Sequence, residues 1–479
     1  MKGPVKKRTK IVATISDKRC DPDFIRQLYD EGMDVVRINS AHLDINAALG
    51  IIRNVKLVSD KIAVLIDTKG PEIRTTICDS PITLQKGSRI LITGDPAGKT
   101  TDQLIRVTYK PFVEDIPIGS VILIDDGELE LRAVEKRGDT IDCLIENDGI
   151  LGSRKSVNVP DVKICLPSLT EKDRAFIKMA VENQVDFIAH SFVRSKQDVI
   201  DVQKVLDEQK SCIKIIAKIE NEEGVRNIDE IIENVYGVMV ARGDLAIEVP
   251  YEKVPGIQRM IISKCINARK TVIVATQMLQ SMIGNPRPTR AEVSDIANAI
   301  YSQTDAIMLS GETASGRYPV EAVKTMTRVA LEVEENKERF LDIPSQVTTS
   351  EISAYLAKVA AKTAVRLDTK VIIADTTNGK TIRDMAAYRG YKLILAQCYL
   401  ASTMRELALS YGVYASFQER RKSVDDFIHF ALKDLTGKHD LREDDLIVVL
   451  AGNFSGGSGF SFIEVGSVEY LKDRVDIVD

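Results

Sequence analysis

Eight short runs of β-branched and apolar residues recur along this chain. They are KIVAT (10–14), DVVRI (34–38), IAVLI (62–66), VDFIAHSF (185–192), IKIIAKI (213–219), YGVMVA (236–241), TVIVAT (271–276) and DAIMLS (305–310). Most are separated by segments with helical spacing, such as Pro22 to Glu31 and Glu171 to Gln184. A near-continuous apolar strand is buried on both faces, and parallel strands need a crossover between them. Eight such strands alternating with helices predict an α/β fold built on a closed parallel (β/α)8 TIM barrel, residues 1–74 and 164–345.

The interval between the third and fourth runs is too long for one helix. From Thr75 to about Lys163 it alternates apolar and polar residues between Gly- and Asp-rich turns, as in PITLQKGSRILITG. This predicts antiparallel strands, read as a small β-barrel lid domain inserted at 75–163. A polar stretch, DIPSQVTTSE, follows the barrel as a linker. New strand–helix units after it (KVIIAD, KLILAQ, DLIVVLAG) predict a C-terminal α/β domain over 346–479. The total of 479 residues suits several domains.

Net charge is −5, so no overall field favours nucleic acid and an anionic ligand must be held by local cations. The seven cysteines are dispersed without a CxxC pair, which reads as reduced thiols. No apolar run is long enough to span a membrane, and a cytoplasmic location is expected.

The residues just past each apolar run carry the chemistry. They include Thr14; Arg37 and Asn39; Asp67, Thr68 and Lys69; Ser191, Phe192 and Arg194; Lys218 and Glu220; Arg242 and Asp244; Thr276 and Gln277; Ser310 and Glu312. Barrel enzymes build their sites at this end. Lys218 and Glu220 alternate onto one face of their strand. They form either a structural ion pair or part of a site. Asp244, past the next strand, would bring a second carboxylate, and two neighbouring carboxylates repel unless a proton or cation lies between them. A hard divalent cation, Mg2+ or Mn2+, meets that need with few protein ligands. Lys218 is then not needed to neutralise the acids and is free to face an anionic substrate. Arg37, Lys69 and Arg74 are either barrel-end ion pairs or further phosphate contacts. Thr276 and Ser310 also suit helix caps, and Arg287 and Arg290 suit structural or intersubunit contacts. TTNGKT (376–381), between a strand and a helix, reads as a capped turn or a phosphate cradle, and the Gly-rich AGNFSGGSGF (451–460) as a second loop beside it.

These residues resemble the pyruvate kinase family, through DVVRINSAH, LIDTKGPEIR, IKIIAKIENEEGV, GVMVARGDLAIEVP, VIVATQML, NPRPTRAEVSD and IMLSGETASGRYPVEAV, in this order along almost the whole chain. The resemblance implies phosphoryl transfer from phosphoenolpyruvate to ADP, giving pyruvate and ATP, by a homotetramer. It implies Glu220 and Asp244 as ligands of Mg2+, and Lys218 at the moving phosphoryl group. Arg37 would contact phosphate, and Gly243, Asp244 and Thr276 the substrate carboxylate. Thr276 and Ser310 would relay a proton. Arg74, His42, Lys155 and Asn39 would serve the nucleotide. Asn39, Asp67 and Thr68 would bind K+. Thr376, Thr377, Asn378, Gly379, Lys380 and Thr381 would hold an effector phosphate on a sugar phosphate or nucleotide.

Four departures stand out. NSAH replaces the usual NFSH, so Ala41 removes a K+-ligating hydroxyl, although Glu72, which accompanies K+ dependence, is kept. TISDKRC replaces TIGPAS beside the nucleotide base. His190 stands where a small or apolar residue is usual. AGNFSGGSG lacks the arginine that grips a second phosphate, which favours a monophosphate effector over a bisphosphate. Outside this family, a metal-dependent aldolase or lyase working through a pyruvate enolate, or a non-catalytic metabolite sensor, also fits parts of the pattern.

Overall fold

In the computed structural model, residues 6–164, 166–336, 352–421, 423–452 and 462–476 are described; the DIPSQVTTSE linker and most of the AGNFSGGSGF loop lie outside them. Eight strands close into a parallel barrel: β1 (Lys10–Thr14), β2 (Val35–Asn39), β3 (Ala63–Asp67), β4 (Phe187–His190), β5 (Lys214–Ile219), β6 (Gly237–Ala241), β7 (Thr271–Ala275) and β8 (Ala306–Leu309). Each pairs with its sequence neighbours, and β8 closes on β1.

Alternation along the strands sorts side chains into two cores. Val12, Val35, Leu65, Phe187, Ala189, Ile216, Met239, Ile273 and Met308 fill the interior. Ile11, Val36, Ile66, Ile188, Ile215, Val238, Val272 and Ile307 face the helices.

Asp34, Asp186 and Asp305 each stand one residue before a barrel strand, and they seal its floor in the same way. Each exchanges backbone and side-chain hydrogen bonds with the neighbouring strand. The amides of Ile11, Val64 and Val272 donate to the three carboxylates at 2.8, 2.9 and 3.0 Å respectively. Each carboxylate also takes a cation: Lys7 Nζ at 2.6 Å on Asp34, Arg405 Nε at 2.7 Å on Asp186, and a two-pronged Arg389 at 2.7 Å on Asp305. Arg389 and Arg405 come from the C-terminal domain, which also sends Leu409 into the barrel's interior core.

The segment between β3 and β4 forms a seven-stranded sheet and a separate two-stranded ribbon, Ile82–Leu84 with Gly149–Leu151. Its pairs are antiparallel apart from Arg89–Thr93 with Leu104–Arg106. Its own core includes Ile92, Ile105, Phe112, Ile122, Leu131 and Ile141. The first strand of the sheet, Ile73–Arg74, pairs with Ser156–Val157, so the insertion begins and ends side by side.

The C-terminal sheet has the strands β9 (Val371–Thr376), β10 (Leu393–Cys398), β11 (Val413–Phe417), β12 (Leu446–Ala451) and β13 (Phe462–Ser467), in the order β11-β10-β9-β12-β13. All pairs are parallel except β12 with β13. The strand order reverses direction at β9, and TTNGKT leaves the carboxyl end of that strand, where ligands of open α/β sheets bind.

Candidate active site

Strand parity decides which side chains meet at the barrel mouth. Arg37, Asp67, Ser191, Lys218 and Glu220 continue the inward-facing rows that hold Val35, Leu65, Ala189 and Ile216. All five are buried, Asp67 and Glu220 to 1% exposure. Arg37 donates from Nε to Asp67 at 2.6 Å and from Nη1 to Thr14 Oγ1 at 2.9 Å. Lys218 Nζ sits at the centre. It lies 3.0 Å from Asp67 Oδ1, 3.0 Å from Glu220 Oε1 and 2.7 Å from Ser191 Oγ. The Phe192 amide donates to the other Glu220 oxygen at 2.7 Å. Asp244 lies near enough to Glu220 for the two carboxyl groups to act on each other.

The electrostatics follow from burial and from these neighbours. Burial penalises the Asp67 carboxylate, but Arg37 and Lys218 outweigh it and hold the group below its usual range. Burial likewise opposes the Lys218 charge, and Asp67 and Glu220 overcome it, so the ammonium is held more firmly than in an ordinary lysine. Glu220 goes the other way. Burial raises its pKa to about 7 despite Lys218, and repulsion from Asp244 adds to the rise. Asp244 is raised as well, again chiefly by burial. In this arrangement Lys218 bonds Glu220, one of the two acids expected at the divalent cation, and Asp67 on the other side.

Burial, more than the presence of each other, disfavours the ionised forms of Glu220 and Asp244. Among the described residues no cluster of three or more His, Cys, Asp or Glu groups could hold a metal. Two carboxylates with open coordination suit a cation such as Mg2+ that keeps several waters and adds substrate oxygens. For a monovalent cation, Asn39 Oδ1 accepts from the Ala41 amide at 3.1 Å, and the Thr68 carbonyl accepts from Ser191 Oγ at 2.7 Å. Ser40 Oγ, on the outward parity of Ile38, is fully buried and has no hydrogen-bond partner among the described residues.

On the next two strands, Thr276 takes a left-handed backbone, φ 69°, and its hydroxyl accepts from the Gly243 amide at 2.8 Å. That amide is thus engaged by the threonine expected to share a substrate carboxylate with it. Arg242 pins the same turn, donating to the Thr276 carbonyl at 2.6 Å and pairing with Asp295 at 2.8 Å. Buried Glu312 receives the amides of Leu279 and Ser310 at 3.0 and 2.7 Å, fixing the strand end that carries Ser310.

The nucleotide candidates are more scattered. A cavity of about 490 Å3 lies between the inserted sheet and the barrel mouth, lined by Arg74, Glu72, Asp126, Phe192, Asn221 and Asp244 among others. Arg74 is held by both oxygens of Glu72, at 2.8 and 2.9 Å, with Lys69 on the same carboxylate at 3.1 Å. Lys155 pairs with Asp125 at 2.7 Å, and His42 is exposed; neither lines the cavity. In the C-terminal domain, Thr376 Oγ1 accepts from the Gly379 amide at 2.9 Å and Asn378 Oδ1 from the Lys380 amide at 3.0 Å. Arg420, from the turn after β11, reaches Thr377 Oγ1 at 3.1 Å.

Sequence reasoning did not assign Ser191 and the Phe192 amide as the link between Lys218 and Glu220. The only signal for them was their place at a strand end. Asp67 stood there too; it meets Arg37 from the neighbouring strand β2, but its bond to Lys218 passes over β4 to a strand that is not its neighbour.

Two family models match the chain: the pyruvate kinase barrel domain over residues 6–323 and the pyruvate kinase alpha/beta domain over 355–464. A pyruvate kinase of Borreliella burgdorferi is 45% identical over 470 residues, covering 97% of this chain and 98% of that protein. One of Geobacillus stearothermophilus is 44% identical over 98% of this chain and 81% of its own length. The crystal structure of a pyruvate kinase from Cryptosporidium parvum superposes with a TM-score of 0.91, at 34% identity and 96% coverage of both chains. With the barrel, its inserted sheet, the C-terminal α/β domain and the ordered strand-end motifs all accounted for, this chain belongs to the pyruvate kinase family.

Proposed function

We propose that the Lys218 cluster is where this enzyme moves the phosphoryl group of phosphoenolpyruvate to ADP, the reaction of its family. The observation that carries the assignment is one buried ammonium set among Asp67, Glu220 and Ser191, with the Asp244 carboxylate acting on Glu220 from the next strand end. Arg37 and Lys218 bring two fixed cations to the point where phosphoryl oxygens carry charge, and such preorganised charge works hardest where water is excluded. Asp67 orients both cations. Lys218 also stands where charge develops on the enolate oxygen as the phosphoryl group leaves. Thr276 shapes the Gly243–Asp244 turn that receives the substrate carboxylate, and Thr276 and Ser310 border the carbon that gains a proton. Arg74, His42, Lys155 and Asn39 serve the nucleotide phosphates; for Arg74 and Lys155 this requires release from Glu72 and Asp125.

Glu220 and Asp244 would hold Mg2+ or Mn2+, which when bound supplies charge stabilisation to the transferring group. Asn39, Asp67 and Thr68 would hold K+, with Ala41 weakening that site. The Thr376–Thr381 turn would take the phosphate of a sugar-phosphate or nucleotide effector, and the assembly is proposed to be a homotetramer.

A coupled assay with phosphoenolpyruvate, ADP and Mg2+ tests this reading. Pyruvate and ATP should form together, and Glu220→Gln should abolish transfer while leaving effector binding intact. Unchanged turnover in that variant would remove the metal assignment. An aldolase or a non-catalytic sensor is not favoured, because the family match runs through all three parts of the chain.

A further inference from the structure

His190 closes β4, and its side chain falls on the opposite face from the reacting groups. Phe187 and Ala189 point into the barrel, whereas Ile188 belongs to the outer core, so His190 follows Ile188 outward. Thr68, one residue past β3, shares that outward parity with Ile66. The two meet behind the barrel wall: His190 Nδ1 lies 3.3 Å from Thr68 Oγ1, and the histidine is 1% exposed.

Thr68 Oγ1 has a second partner. The Ser191 amide donates to it at 3.0 Å, so the one hydroxyl bridges the Ser191 amide and the histidine ring. The charged groups that bear on the ring, Asp173 and Asp198 of one sign and Lys218 and Arg194 of the other, oppose one another.

The turn on which these contacts converge holds both halves of the site. Ser191 Oγ receives the Lys218 ammonium and itself reaches the Thr68 carbonyl at 2.7 Å. The next residue, Phe192, has a left-handed backbone, φ 55°, and aims its amide at Glu220. A non-glycine residue holds that conformation only when its surroundings impose it. From the other side, Gly70 packs so closely that a Cβ there would lie 2.8 Å from Ser191 Cβ.

We propose that His190 is a positioning residue for phosphoryl transfer: it orients the Thr68 hydroxyl, which holds the Ser191 amide and so sets the turn that aligns Lys218 with Glu220. The inference rests on the role given to Lys218 and Glu220 above, and wild-type turnover in the coupled assay tests that role separately. A small residue at this position would remove the ring nitrogen and leave the Ser191 amide as the hydroxyl's remaining partner.

The test uses the full-length enzyme at saturating Mg2+ and K+. His190→Ala is expected to lower kcat about tenfold, with KM for phosphoenolpyruvate changed less than about twofold. His190→Asn, whose side-chain amide can present a donor or an acceptor in the place of Nδ1, should restore most of the rate, whereas His190→Gln, which reaches the Nε2 position instead, should not. Thr68→Val should lose as much as His190→Ala, and the double variant should lose no more than either alone. Full kcat in His190→Ala, equal behaviour of Asn and Gln, or losses that multiply in the double variant would each overturn the proposal. If His190→Ala does not fold, the Asn and Gln pair alone decides it.

Discussion

At the scale of single residues, the mouth of this barrel is a problem in counting charge. Four ionised groups, Arg37, Asp67, Lys218 and Glu220, are nearly dry, and Asp244 adds a fifth charge at the rim. Burying a charge is tolerable only when it is paired. Asp67 is over-supplied with cations and Glu220 under-supplied, so their pKa values move apart. Replacing Glu220 by Gln keeps the shape and removes the charge. We expect turnover to fall by roughly a thousandfold, as for other groups that stabilise charge in the transition state, measured with phosphoenolpyruvate, ADP and saturating Mg2+. A second expectation follows from linkage. The folded-state pKa of Glu220 is raised above its unfolded value, so its contribution to stability is complete below about pH 4.5 and is lost as pH rises through about 7. In metal-free protein the midpoint of thermal unfolding should carry this loss between those pH values, Mg2+ should reverse it, and Glu220→Gln should remove it. A slope that survives in the variant would show that another group is responsible.

At the scale of elements, each strand end works through the turn that follows it. In NSAH, Ala41 stands beside Asn39, one of the residues proposed above to hold a monovalent cation. Ala41→Ser would add a hydroxyl next to Asn39, whose side chain already folds back on the Ala41 amide. We expect the K+ concentration for half-maximal activity to fall several-fold in Ala41→Ser, with maximal rate little changed; an unaltered K+ titration would place the cation elsewhere. These elements also show what can be read before folding. The eight strands were legible because burial on both faces forces continuous apolar runs. The insertion was legible because half-exposed strands alternate, as Leu129–Arg137 does. Lys218 and Glu220 were legible as a pair because two residues apart on a strand means one face. Asp67 as a partner of Lys218 was not, since β4 lies between their strands and only closure of the barrel brings them together. The clamp of Glu72 on Arg74 joins residues two apart at the insertion's edge, and the sequence offered no means to choose it over a phosphate.

At the scale of the whole molecule, the third domain is fastened to the end of the barrel opposite the chemistry. Asp305 ties two strands, the Tyr411 amide and both prongs of Arg389. Arg389→Met would leave this nearly buried carboxylate without its cation. Breaking a buried pair from one side costs about 3–5 kcal/mol, so thermal unfolding should shift down by several degrees or split into two transitions as the domains separate. Calorimetry of the full chain would show it, and an unshifted single transition would mean that Leu409 and the remaining contacts hold the domains together without this pair. The two aspartates held by this domain, Asp186 and Asp305, were visible in the sequence at the head of VDFIAHSF and DAIMLS. Their counter-ions were not, because Arg389 and Arg405 lie far along the chain with nothing local to announce them.

This sharing of counter-ions limits how far the molecule can be treated as modular. A barrel taken without its companion would keep Asp186 and Asp305 as orphaned anions on a newly wetted base, and a grafted companion would have to present guanidinium groups at matching positions. Chimeras within the family should therefore tolerate exchange of the inserted sheet, which is joined by adjacent strands, more readily than exchange of the C-terminal portion.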